Sequence, residues 1–143
     1  MNSLSVMVYE TPLLEKALPR LVEKCLQTGK KIVIVVGTPE RALAIDHLLW
    51  TYTPISFLPH GCQGQDQNPT EHPIWITSQD QARPFSPIVI LVETLNIPQD
   101  LEGVEKILVF SLPQERVSVR TAFKAFPQCS FWSQTEAGWK SIS

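Results

Sequence analysis

The chain is 143 residues long, 43% hydrophobic and 18% charged, with a formal net charge of -2. That length suits one globular domain with an ordinary core, and the slight acidity argues against the broad basic surface that duplex binding needs, so DNA is expected to be contacted mainly indirectly. No apolar run approaches the roughly 20 residues of a membrane span, no basic segment precedes an apolar one at the N-terminus, and the three cysteines, Cys25, Cys62 and Cys129, are too few and scattered for a secreted disulfide framework. A cytoplasmic protein without membrane contact is the expectation.

Short apolar runs alternate with helical patterns, which predicts an α/β sandwich with a mostly parallel sheet. Residues 5 to 9 form the first predicted strand. Thr11 and Pro12 then supply an N-cap and a first-turn proline for a helix reaching about residue 28. Leu14, Leu18, Leu21, Val22, Cys25 and Leu26 recur at helical spacing on one face, and Gly29 ends the helix. Pro19 inside it removes a backbone hydrogen bond and predicts a kink or a break. Residues 31 to 36 are a β-branched run suited to a strand buried on both faces.

Gly37, Thr38 and Pro39 open a second helix, which turns Ala42, Ile45, Leu48 and Leu49 toward the core and ends near Trp50. Residues 61 to 73 are polar and read as a loop. Strands are predicted at 74 to 77, 87 to 92 and 106 to 110. Ser111 with Gln114 has the form of a capping box, and Pro113 sits in the first turn, so a helix is expected over about 113 to 125.

The turn at Gly37 is where nucleotide folds hold phosphate, yet neither G-x-G-x-x-G nor G-x-x-x-x-G-K-[ST] occurs. It reads as a plain helix start in a mononucleotide-like fold with no nucleotide-binding motif. His60, Cys62 and His72 match no metal-ligand spacing, and no carboxylate pair is defined by position. No catalytic residue, metal or cofactor is assigned.

Two features remain. From Trp50 to His60, large apolar side chains stand in a non-periodic, proline-interrupted segment, where they serve either as a plug at the sheet edge or as a partner surface. Arg116, Arg120 and Lys124 lie at i, i+4 and i+8, a drift of only about 80° on a helix, so they share one face. That row is either a solvated helix face or an anion-docking strip. Together they suggest a docking protein rather than an enzyme.

The run L-L-W-T-Y-T-P-I-S-F-L-P-H-G at 48 to 61, P-I-W-I at 73 to 76, and F-K-A-F at 123 to 126 ahead of a W-x-x-x-x-x-x-W ending resemble the chi subunit family of bacterial DNA polymerase III. The resemblance covers most of the chain. It implies a three-layer, Rossmann-like α/β fold and a non-catalytic accessory subunit of the clamp-loader assembly, active in DNA replication. Such a subunit joins the holoenzyme to the single-stranded-DNA-binding protein by docking that protein's acidic C-terminal tail, while a second surface holds the psi subunit or an equivalent component.

On that resemblance, Arg120 would take the carboxylate of the tail's terminal phenylalanine, Phe123 and Leu112 would form the slot for its ring, and Arg116 and Lys124 would attract the acidic stretch. Trp50, Phe57, Leu58, Pro59 and His60 would face psi. The chain departs from better-known members in its longer loop at 61 to 73, in Pro19, and in a shortened connection before Arg116, which leaves room for a different clamp-loader partner. Two further readings are carried: a nucleotide-handling α/β enzyme using the turn at Gly37, and a direct single-stranded nucleic-acid binder stacking bases on Trp75, Trp132 or Trp139 beside the basic row.

Overall fold

In the computed structural model, residues 4–12, 14–51, 61–62, 72–78, 86–92, 103–123, 126, 128–135 and 138–142 are described. They form one eight-stranded sheet of order β3-β4-β2-β5-β6-β1-β7-β8. Every neighbouring pair is parallel except β7 with β8, which is antiparallel. Two helices cover one face and a third covers the other, so the expected three-layer α/β sandwich is the observed one.

β1 (Ser5–Glu10) alternates in burial, with Val6, Val8 and Glu10 buried and the intervening residues half-buried. The buried set belongs to the face that α3 covers, while Met7 and Tyr9 pack on the α1 face. β2 (Ile32–Val36), β4 (Ile74–Ser78) and β5 (Ile88–Val92) are buried at every residue, as apolar runs at the middle of a sheet between helical layers should be. β6 (Lys106–Ser111) lies between β5 and β1. Full burial of a side chain such as Ile34, Ile90 or Ile107 stabilises the fold by roughly 1.5–3 kcal/mol.

α1 (Leu14–Leu26) buries Ala17, Leu18 and Val22 against the sheet. It runs unbroken through Pro19, so of the two outcomes expected there, a kink or a break, the break does not occur. The proline falls in the second turn, where only the bond to Glu15 is lost, and its ring is buried. The helix begins at Leu14, two residues after Pro12, which was expected in its first turn. The Thr11 hydroxyl donates to the Gln134 side chain, and its backbone N–H donates to the Ser111 carbonyl at 2.9 Å. At the other end Gly29 adopts φ 79°, the left-handed stop that the sequence predicts.

α2 (Pro39–Trp50) starts as expected, with the Thr38 hydroxyl accepting from the Arg41 amide at 3.2 Å and Pro39 in the first turn. Ala42, Ile45 and Leu49 are buried, and Leu48 packs at the edge of the same cluster. The loop expected at 61 to 73 begins instead with a short edge strand, β3 (Gly61–Cys62), beside β4. Gly61 is required there, because a Cβ would sit 2.7 Å from the Trp75 ring and 2.8 Å from that of His72. Most of the remaining loop lies outside the described residues.

The 113 to 125 helix is shorter than expected. Pro113–Glu115 form a 3-10 turn and α3 is Arg116–Phe123, with residues 124 and 125 outside the described set. Its cap is shifted by one residue: Ser111 closes β6, and the Leu112 amide donates to the Glu115 carboxylate at 2.9 Å. β7 (Cys129–Thr135) and β8 (Gly138–Ile142) form a C-terminal hairpin that no sequence pattern announced, because their few apolar residues lack a clean alternation. Register with β1 places Val8 beside Phe131 and Tyr9 beside Trp132. Phe131 packs on the α3 side, and Trp132 lines a groove on the α1 side.

Candidate functional site

The described cations of the row, Arg116 and Arg120, lie on α3 beside β1 and β7, Arg116 against Glu10 at the end of β1 and Arg120 against Phe131 of β7. Arg116 does not stand free. Its Nε donates to Glu10 Oε2 at 2.7 Å and its Nη2 to Oε1 at 2.6 Å, a two-pronged pair between a buried carboxylate and an exposed guanidinium. The hydrogen bonds from Arg116 hold the Glu10 carboxyl below its ordinary range against the opposing effect of burial, and Arg120 adds to the lowering. The Arg116 guanidinium is pushed up, chiefly by the same hydrogen bonds. Much of its charge is therefore spent within the fold.

Arg120 is placed differently. Its guanidinium lies 5.0 Å from the centre of the Phe131 ring, and its Nε is buried without a hydrogen-bond partner. The contact with the ring restrains the planar fork. Because the Nε is buried, an anionic group arriving at this edge of α3 would meet the terminal guanidinium nitrogens of the half-buried side chain.

Phe123 faces the core rather than the surface. It is 0% exposed and packs against Phe126 at a ring separation of 5.9 Å, so the slot expected of it is not open at the surface. Period explains the difference: Phe123 lies four residues after Val119, also buried, on the sheet-facing side of α3. Among the described residues, the large apolar groups exposed near the row are Leu112 and Val117, the latter 78% exposed. Lys124 lies outside the described residues.

Trp50 ends α2 and is 50% exposed, whereas Phe57, Leu58, Pro59 and His60 lie outside the described residues. Cys62 is buried with its thiol 3.5 Å from the Ala42 carbonyl, and His72 packs its ring 5.6 Å from that of Trp75. Both side chains are thus engaged in packing. Trp75 is itself buried, which removes it as a base-stacking platform.

A cavity of about 330 Å³ opens at the carboxyl ends of β1 and β6, lined in part by Thr11, Glu15, Arg41, Leu112 and Glu115. Ligands of open α/β sheets bind at such ends. Here, however, Glu15 and Glu115 contribute negative charge, Thr38 occupies the Arg41 amide, and Gly37 does not line the space, so the arrangement does not suit a phosphate.

Sequence reasoning named Arg116, Arg120 and Leu112 but missed Glu10, Phe131 and Val117. Glu10 carried a usable signal, because alternation along β1 puts it on the same side as Val6 and Val8, and an inward carboxylate calls for a cation. Phe131 carried none until β7 was placed beside β1.

These features define a mononucleotide-type α/β domain without a phosphate loop, with its charges gathered on helix faces. The chain belongs to the DNA polymerase III chi subunit family: it matches the family described as DNA polymerase III chi subunit, HolC, over residues 1–131. It is also 31% identical over 110 residues to a protein of Rickettsia prowazekii (strain Madrid E) named probable DNA polymerase III subunit chi, covering 77% of this chain and 66% of that protein, just under two thirds of its length. The family is an accessory subunit of the replicative polymerase, which agrees with the resemblance carried by residues 48 to 61, 73 to 76 and 123 to 126. Among the described residues no helix is long and apolar enough to cross a membrane.

Proposed function

We propose that the chain is a non-catalytic, cytoplasmic link between the clamp-loader complex and the single-stranded-DNA-binding protein, docking the acidic C-terminal tail of that protein on the exposed face of α3. The observation that carries this reading is Arg120, whose guanidinium is set 5.0 Å from the centre of the Phe131 ring. It supplies a planar, pre-oriented donor for a terminal carboxylate. Leu112 and Val117, exposed on either side of Arg116 in sequence, supply apolar contact for a terminal aromatic ring in place of the buried Phe123. Arg116 adds a weaker attraction because Glu10 offsets it, and Lys124, four positions after Arg120 in sequence, is assigned to the same acidic stretch.

Trp50, with Phe57, Leu58, Pro59 and His60, forms the surface for psi or an equivalent clamp-loader component. The half-exposed indole at the end of α2 supports that assignment, since aromatic anchors dominate interface energetics. DNA is reached mainly through these partners.

The test is fluorescence anisotropy of a labelled acidic peptide ending in a free phenylalanine carboxylate. Saturable binding that weakens with salt and is lost in Arg120→Ala supports the reading. A folded wild-type protein that leaves the peptide free at low salt overturns it.

A further inference from the structure

A second cationic row lies on the opposite face of the sheet. Lys16, Arg20 and Lys24 stand at i, i+4 and i+8 on α1, all three exposed, with about 6 Å of helix rise between successive members. None makes an ion pair or hydrogen bond with any described residue. They form one wall of a groove of about 430 Å³ whose other wall is Tyr9, Trp132 and Trp139. The acidic residues of α1, Glu15 and Glu23, do not line it.

The aromatic wall is built by strand register. Tyr9 pairs with Trp132 across β1 and β7, and Gln134 pairs with Trp139 across β7 and β8, so the three rings come to the same side of the sheet. Tyr9 and Trp139 meet edge to face at 5.1 Å, which fixes the second indole while leaving it 39% exposed. The Trp132 indole N–H donates to Ser130 at 3.1 Å, which holds the first. Rigid aromatic surface thus faces a line of unpaired cations.

We propose that this groove binds single-stranded nucleic acid, with phosphates along Lys16, Arg20 and Lys24 and bases against Trp132 and Trp139. Two features select this occupant. A cationic strip opposite stacking platforms is what single strands require, and a duplex would offer the indoles no free base face. An acidic peptide would satisfy the cations, but its carboxylates would meet the negative faces of the aromatic rings. The site is separate from the α3 face, so its success or failure is independent of tail docking.

The experiment measures anisotropy of a fluorescein-labelled oligothymidine, about 15 nucleotides long, together with tryptophan quenching, over a salt series. Binding is expected with a log–log salt slope of about -2 for three phosphate contacts to a single strand. The double variant Arg20→Glu/Lys24→Glu should weaken it about tenfold or more, and Trp139→Ala should weaken it and reduce the quenching, with Trp139→Phe restoring part of both. Lys30→Glu, away from the groove, should stay close to wild type. Three results would overturn the proposal: no binding by folded protein at low salt, binding untouched by the α1 variants, or capture of an acidic peptide by this groove in preference to the oligonucleotide.

Discussion

Arg116 and Glu10, 106 positions apart in sequence, close a two-pronged ion pair with both N–O separations under 2.8 Å. It ties α3 to the end of β1 and so sets where the rest of the cationic face stands. Because the carboxyl is lowered in the fold, its contribution is fully present above the ordinary carboxylate value and is lost as pH falls through the lowered folded value. Glu10→Gln should therefore flatten the acid limb of the stability curve, read by urea unfolding at about pH 7 and about pH 3.

Arg120→Ala and Phe123→Ala, three positions apart, should separate function from packing. The first removes a ring contact worth about 0.5–1 kcal/mol and should abolish peptide binding with little change in melting temperature. The second opens a cavity in the core and should cost about 3–5 kcal/mol. Arg120→Lys should not restore binding, because an ammonium cannot present the planar fork. Calorimetric melting and peptide anisotropy on the same samples check both.

Gly61→Ala should destabilise by about 1–3 kcal/mol, since the added methyl meets the rings of Trp75 and His72 inside 3 Å. A second substitution, His72→Ala, should relieve part of that cost. Chemical denaturation of the two single variants and the double variant reads the coupling directly.

Burial pushes the thiols of Cys25 and Cys129 up, in the case of Cys25 against the opposing charges of Lys106 and Lys24. Less thiolate is present near neutral pH, so both should react with a disulfide reagent more slowly than a free cysteine. Cys62, fully buried, should be protected until unfolding, when all three thiols titrate. Stopped-flow labelling with and without denaturant measures this.

The buried strands were readable because continuous β-branched runs have few other folded uses, and β2 is buried at each residue just as its run predicts. The capping of α2 by Thr38 and the stop at Gly29 were readable for the same reason: both depend on local geometry alone. The Thr11 hydroxyl finds its acceptor on Gln134 only through the arrival of β7, a contact that spacing along the chain does not announce. The 3-10 turn displaced the start of α3, with Glu115 serving the Leu112 amide where Ser111 and Gln114 were expected to act.

By itself the sequence determined the α/β class, most of the strands, and a helix with arginines on one face. Each of these follows from interactions among residues a few positions apart. Which side of that helix meets the core, which arginine is neutralised and which is left to act were decided only by tertiary structure. Glu10, Phe131 and α3 come from distant segments, and their separation is set by strand register and helix packing, for which spacing along the chain carries no record. The second row, on α1, makes the same point: its i, i+4, i+8 spacing was present in the chain throughout, but it became a groove only when the β7–β8 hairpin set Trp132 and Trp139 opposite it.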